Sequence, residues 1–398
     1  MADNRIGLFF VSRFNMRTLF RKLGQIGWSF PVIIALVTLC IAGIFVITSA
    51  TFTNAALKNA PTSQFWYILG GFAVYLILAF VPYQWLVRVS PILYLVGLCL
   101  LIGVYIPGLG RIGHGAYSWL KIGPLGFEPA ELAKLTYILA MVWFLRVREN
   151  QIEHFSTVLW AWLITAIPFI LVLKQPALGT ASVFFPVCFA MLFAAGVRWY
   201  YIVLPLAAVS CLTVTLYFWV HVWDKPIPFM KPFQLNRLKI FFDPSLDPKG
   251  SGWQIDQSLI ALGSGGMDGK GWLQGTETVL GYLPKNTSYN DLIFPVVGED
   301  FGYRGAAALI IGEGTVLLWC LWVAARSRDK IGALLAVGVM TMLFTHIFVN
   351  VGMTIQLVPI TGIPLPFVSY GGTFLVACLA AMGMVQSVWV HRKNLERT

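Results

Sequence analysis

The sequence predicts an all-α, polytopic membrane protein of about ten transmembrane helices, with one large extracytoplasmic loop between spans 7 and 8. Three observations support this. Of 398 residues, 58% are hydrophobic and 11% charged, with a mean hydropathy of +0.76. That is more apolar surface than a water-soluble core can hide. Apolar runs of about 20 residues, enough to cross a bilayer, recur along the chain. Only residues 222–290 break the pattern for long, as a mostly polar loop.

Taken in order, a basic N-terminus (1–28) precedes ten candidate spans. These are Phe30–Ser49, Phe65–Trp85, Val89–Ile106, Leu132–Leu145, Val158–Leu173, Leu178–Val197, Tyr200–Val220, Gly305–Ala325, Ile331–Val351 and Phe374–Val390. The chain reads as one membrane domain, 1–398, with residues 1–28 and 391–398 as cytoplasmic ends and 222–290 as the large extracytoplasmic loop. The first apolar stretch is long enough to span and lacks a cleavage-site pattern, so no removable signal peptide is expected. Six cysteines (Cys40, Cys99, Cys188, Cys211, Cys320, Cys378) each lie in an apolar run without metal-ligand spacing, and read as small core residues. No internal repeat is visible.

An even number of spans puts both termini on one side, and basic residues identify it. With the N-terminus inside, inner segments hold Arg5, Arg13, Arg17, Arg21, Lys22, Arg88, Arg146, Arg148, Arg198, Arg326, Arg328, Lys330, Arg392, Lys393 and Arg397. The short outer loops hold only Lys58, Arg111, Lys121, Lys134 and Lys174. The asymmetry favours cytoplasmic termini, and accounts for the net charge of +11 without a nucleic-acid partner. In this topology the connections Gly108–Lys134, Lys174–Gly179, the long loop and Gln356–Gly372 all open to the exterior.

The first of these connections contains Trp119, then Phe127-Glu128-Pro129-Ala130-Glu131-Leu132-Ala133-Lys134. Glu128 before Pro129 marks a helix start. Glu131 and Lys134 are three residues apart and share a helix face. An interfacial anchor is the plain reading of Trp119. A carboxylate and an ammonium entering a span together favour function, because each is costly in hydrocarbon. In Lys174-Gln175-Pro176, the proline breaks a helix, and Lys174 reads equally as a phosphate ligand or a snorkelling side chain.

In the long loop, Phe229–Phe242 fits a basic amphipathic helix lying on the bilayer. Lys270 is flanked by Gly269 and Gly271, which permits close approach to a phosphate or serves as a hinge. Asp291 precedes the apolar run Leu292-Ile293-Phe294, where helix capping and catalysis are alternatives. Pro359, Pro364 and Pro366 forbid a regular helix between the last two spans and suggest a re-entrant or surface-lying loop. Glu313 lies inside a span, as a functional acid or one bonded to a neighbouring helix; the five histidines form no ligand pattern.

These segments, in this order, resemble the SEDS family (shape, elongation, division and sporulation). The most specific parts are Gly352-Met353-Thr354 through Gly371-Gly372, and Leu283-Pro284 with Asp291-Leu292-Ile293-Phe294 and Gly298-Glu299. The stretch Ser264-Gly265-Gly266, Gly269-Lys270-Gly271-Trp272 and Gly275-Thr276-Glu277-Thr278 is similar to the elongation branch more than the division branch. The resemblance implies a ten-span fold in the bacterial inner membrane and peptidoglycan glycosyltransferase activity. Lipid II would be polymerised into glycan strands during elongation, with release of undecaprenyl pyrophosphate. It further implies an essential outer-loop aspartate, here Asp291, functional positions at Trp119, Glu131 and Lys134, and a class B penicillin-binding protein as transpeptidase partner within the elongation machinery. The chain also departs from the family pattern. Asp291 is seven residues after Pro284, as if two were inserted; Glu128 replaces a Gln, Ala177 an acid and Ser118 an Arg.

The expected chemistry is one inverting displacement, with Asp291 as the base for the acceptor hydroxyl or, alternatively, as a metal ligand. Lys134, Lys270 or a divalent cation such as Mg2+ would balance the leaving group's charge. The resemblance fixes no cofactor. The rivals are a lipid II flippase, a non-catalytic scaffold and a division polymerase.

Overall fold

Proline sets where the first helices begin. In the computed structural model, which describes residues 29–106, 110–113, 116–122, 125–175, 177–221, 239–248, 250–284 and 287–392, α1 (Phe30–Thr51) and α2 (Ala60–Phe80) each carry a proline in their first two positions. The missing N–H costs nothing there. Pro82 ends α2 and is the N-cap of α3 (Tyr83–Gly103). The expected second span, Phe65–Trp85, therefore stops five residues short, because the residue before a proline leaves the helical region. An antiparallel meander follows, β1 (Gly110–Gly113), β2 (Ala116–Ile122) and β3 (Leu125–Phe127), paired in chain order. This small sheet is the one departure from an all-α reading among the described residues.

Next come α4 (Pro129–Val147), α5 (Phe155–Lys174), the short α6 (Leu178–Ser182), α7 (Phe184–Ala195) and α8 (Tyr200–His221). The long loop contributes α9 (Ser251–Ser264) and α10 (Thr276–Val279). Residues 239–242 are helical; the rest of the amphipathic segment expected at Phe229–Phe242 lies outside the described residues, as do 1–28 and 393–398. The chain ends with α11 (Ile293–Arg326), α12 (Lys330–Thr354) and α13 (Gly372–His391). Gly302, at φ 63° and ψ −165°, breaks α11 into two helical pieces, so the span expected at Gly305–Ala325 is preceded by a buried helix from Ile293 to Phe301.

Eight helical segments are long and apolar enough to cross a membrane, α6 and α7 counting together. To these α8 adds an apolar helix and α4 a charged but deeply buried one, carrying Glu131, Lys134 and Arg146. All ten segments expected from the sequence are therefore helical. Almost all of α13 is buried, and it packs against α2 where Gly383 lets the helices touch: a Cβ there would lie 2.7 Å from the Tyr75 carbonyl. Trp66, Ile77 and Ile92 instead face outward, as lipid-facing positions do.

The connections segregate to the two ends of the bundle. At one end, Lys330 pairs with Glu149 at 2.7 Å and Arg198 with Glu153 at 2.6 Å. A cavity of about 280 Å³ opens there beside Arg146 and Lys330. The sheet, the proline-rich loop and the Asp291 turn meet at the other end.

Candidate active site

The meander delivers the chain to α4. Trp119, opposite Arg111 in the β1–β2 register, lies over Gly126, where a Cβ would come 2.8 Å from its ring. The Gly126 carbonyl accepts from the Thr373 hydroxyl at 3.3 Å, and the Thr373 oxygen accepts from the Glu128 N–H at 3.4 Å. These two contacts tie the start of α4 to the start of α13. Glu128 is the N-cap residue expected, but its carboxyl makes no capping bond. Burial first, then Glu131 and Asp291, raise that carboxyl to about 8, with Lys134 pulling the other way. An acid that stays neutral near pH 7 therefore sits among carboxylates.

One turn on, Glu131 and Lys134 meet as their spacing predicts. Lys134 Nζ is 2.8 Å from both Glu131 oxygens and 2.8 Å from His346 Nε2 on α12. The ammonium donates, so the imidazole accepts at Nε2. The Phe374 ring lies against His346, tilted by 38° at a centroid distance of 5.0 Å, and 5.7 Å from Nζ. Both charges are buried, at 4% and 2% exposure, a placement tolerated only for paired charges.

Asp291 reaches the same end from the long loop. The Asn350 amide donates to the Asp291 carbonyl at 2.8 Å and to the Ile363 carbonyl at 2.7 Å. The Ser369 hydroxyl donates to the Asn290 carbonyl at 2.6 Å, and the Tyr370 N–H to the Tyr289 carbonyl at 3.0 Å. Two direct bonds and the Asn350 bridge thus lash the aspartate turn to the proline-rich loop. Asp291 is half-buried, and a Cβ on Gly362 (φ +74°) would lie 3.2 Å from its Oδ2. Leu292, rather than Asp291, occupies the N-cap position of α11. The loop itself folds back into protein, with Ile363, Leu365, Phe367 and Val368 buried and Phe367 at φ +60°. Irregular backbone enclosed by protein in this way fits either of the two forms expected, re-entrant or surface-lying. The connection Lys174–Gly179 joins it, since Gly179 lies against the Thr361 carbonyl. Lys174 is exposed at the end of α5.

Lys270 belongs to a second cluster. Its ammonium is 2.9 Å from Glu299 Oε1 and 2.5 Å from the Thr276 hydroxyl. Glu299, fully buried, also accepts from the Glu277 and Thr278 N–H groups at 2.7 and 3.1 Å. The Lys270 and Gly271 N–H groups bond the Glu299 and Asp300 carbonyls, clipping the glycine-rich loop to the Gly302 kink. Glu313 is buried in α11, and its carboxyl oxygens have no hydrogen-bond partner.

The structure therefore gathers Trp119, Glu131, Lys134 and Asp291 at one end of the bundle and turns Lys270 toward Glu299. Sequence reasoning passed over His346 and Asn350, and took Glu128 for a helix start. Polar residues late in the apolar run Ile331–Val351 were the available signal. Among the described residues no three His, Cys, Asp or Glu side chains are grouped to hold a metal ion.

Comparison with known proteins identifies the family and the fold. Residues 30–394 match the family of FtsW, RodA and SpoVE cell cycle proteins. The peptidoglycan glycosyltransferase MrdB of Escherichia coli is 32% identical over 367 residues, covering 92% of this chain and 95% of that protein. The probable peptidoglycan glycosyltransferase FtsW of Geobacter metallireducens is 33% identical, covering 91% and 95%. Among solved structures, a chain from a peptidoglycan synthase complex that coordinates polymerization and crosslinking superposes with a TM-score of 0.74 at 27% identity, covering 91% of this chain and 97% of its own. The rod shape determining protein RodA of Thermus thermophilus has the same fold, with a TM-score of 0.64 at 24% identity over 91% and 96% of the two chains.

Proposed function

Because the chain belongs to the FtsW, RodA and SpoVE family of cell cycle proteins, we infer that it is a peptidoglycan glycosyltransferase embedded in a membrane. Its substrate is lipid II, which it polymerises during cell elongation. It works in the bacterial cytoplasmic membrane with both termini inside, beside a class B penicillin-binding protein of the elongation machinery. The observation that carries the reading is the half-buried Asp291, whose backbone turn is lashed by Asn350 and Ser369 beside Glu128 at one end of a helical bundle. The basic residues concentrate at the opposite end, which supports an outward-facing site.

In this reading the acceptor's 4-hydroxyl oxygen attacks the donor's anomeric carbon while its proton passes to the Asp291 carboxylate. The anomeric carbon–oxygen bond breaks, and the electron pair leaves with undecaprenyl pyrophosphate. A base so placed contributes about 10²–10⁴-fold. An α-linked donor and a β-linked product need one displacement and no covalent enzyme intermediate. Glu128, neutral near pH 7, holds a carboxyl near the anionic leaving group without repelling it. Lys134 supplies fixed positive charge from beneath, oriented by Glu131 and His346. Trp119 lies over the loop that carries Glu128, and Lys270 keeps a partly exposed ammonium for the pyrophosphate. A divalent cation, if bound, would neutralise the same phosphates, for which Mg2+ needs only one or two protein carboxylates.

The test is polymerisation of labelled lipid II by purified wild type and Asp291→Ala with the partner present. Wild type makes glycan strands and the variant makes none. Undiminished strands from the variant would remove Asp291 from the chemistry. Transport of lipid II into sealed vesicles without polymer would favour a flippase.

A further inference from the structure

Three tyrosines from three separate segments stand in a row next to Asp291. Tyr67 is on α2, Tyr370 follows the proline-rich loop and Tyr289 precedes the aspartate by two residues. The Tyr67 and Tyr370 ring centroids are 6.2 Å apart and tilted by 58°; those of Tyr370 and Tyr289 are 5.4 Å apart at 63°. All three side chains are half-buried. Burial and then the Asp291 carboxylate raise the Tyr289 phenol above its usual range, which places one end of the row within the field of the proposed base.

The row is held by a hydrogen bond between the Tyr67 and Tyr370 side chains and by backbone bonds around it. The Tyr370 N–H donates to the Tyr289 carbonyl at 3.0 Å. Gln64 brackets the other side, donating to the Ser369 carbonyl at 3.1 Å and accepting from the Gly371 N–H at 3.3 Å. Gly372 lies against the Tyr67 ring, where a Cβ would come 2.9 Å from it. A tyrosine that only anchors a bilayer interface needs no such frame, since interfacial enrichment asks for an amphipathic ring at headgroup depth and nothing more. Rigid half-exposed rings with hydroxyls at the tip present an apolar face and a polar edge together. A pyranose has the matching surface, C–H bonds on its faces and hydroxyls around its rim. The centroid spacing is comparable with the length of one sugar unit in an extended β-linked chain.

We propose that Tyr67, Tyr370 and Tyr289 form a saccharide-stacking subsite that holds the pyranose rings of the glycan strand in line with Asp291. This rests on the glycosyltransferase reading above and adds the surface along which the sugar chain lies. The subsite selects for β-linked amino sugars through ring contact, and sets how long a strand stays bound between successive additions.

The experiment uses the purified full-length chain in detergent micelles and chitotetraose, a soluble β-linked N-acetylglucosamine tetramer, as probe. Binding is read by saturation-transfer NMR, and strand length by gel after polymerisation of labelled lipid II with the partner present. Tyr67→Leu and Tyr370→Leu should each weaken tetramer binding about tenfold and shorten the strands, and Tyr67→Phe should restore both relative to Tyr67→Leu. Thermal unfolding checks each variant. Should Tyr370→Leu fail to fold, Tyr67→Leu decides, because its ring makes none of the backbone bonds that frame the loop. The subsite is overturned if wild type does not bind the tetramer, if the Leu variants bind it equally well, or if Phe loses as much as Leu. A wild type that binds the tetramer yet makes no polymer sinks the polymerase reading and leaves the subsite standing.

Discussion

The Asn350 side-chain amide donates to two backbone carbonyls at once, Asp291 at 2.8 Å and Ile363 at 2.7 Å. One residue on α12 thereby fixes the spacing between the aspartate turn and the proline-rich loop. Asn350→Leu would leave both carbonyls without this donor, at a cost of roughly 1–3 kcal/mol each. It would also free Asp291 to drift, and a shift on the order of 1 Å costs about 10²-fold in rate. We expect Asn350→Leu to lose most polymerisation while remaining folded. Rate and thermal midpoint measured together check this, and a wild-type rate would show that Asp291 is positioned by something else.

Glu128 gives a pH signature. Its folded carboxyl titrates at about 8, against an ordinary value of 4.5. The folded state therefore holds the proton more tightly than the unfolded one. The resulting stability is full below pH 4.5 and is lost as pH rises through about 8. Glu128→Gln has no proton to lose, so its stability relative to wild type should increase across that interval. Thermal midpoints of both proteins at acid and alkaline pH test this; a constant difference would mean that the carboxyl ionises normally.

The buried pair formed by Glu131 and Lys134 should behave asymmetrically under single and double substitution. Glu131→Gln leaves a buried ammonium with only His346 and neutral dipoles around it, and removing one partner of a buried pair costs about 3–5 kcal/mol. Glu131→Gln combined with Lys134→Met removes both charges and should recover most of that stability without recovering polymerisation. A double variant as unstable as the single one would show that packing, rather than charge, sets the cost.

Spans were legible because lipid imposes one rule, a long apolar helix, on every crossing. Helix ends were less so: Pro82 and Gly302 act through local backbone geometry that hydropathy averages away. The meander at 110–127 went unread because its strands are short and lie in a glycine-rich loop. At the site, Glu131 and Lys134 could be paired by their spacing, which a helix enforces. His346 and Asn350 are separated from their partners by 212 and 59 residues, and no local pattern links positions so far apart. The glycines flanking Lys270 left phosphate approach and a hinge open, and no local pattern pointed to its pairing with Glu299, 29 residues on.

That pairing sets up a last prediction. Lys270 is 23% exposed and Glu299 fully buried, so the two ends of the bond carry different risks. Lys270→Ala leaves Glu299 with its Thr276, Glu277 and Thr278 donors and one fewer cation. The stability loss should fall below the roughly 3–5 kcal/mol of a wholly buried pair, because those donors remain on the carboxylate. Glu299→Gln places an amide N–H₂ opposite those donors, and should cost several times more while loosening the loop from the Gly302 kink. If the ammonium also reaches the pyrophosphate, Lys270→Ala raises KM for lipid II at nearly unchanged kcat, since it removes binding common to ground and transition states. A lowered thermal midpoint with KM unmoved would instead reduce Lys270 to a clip that holds the glycine-rich loop in place.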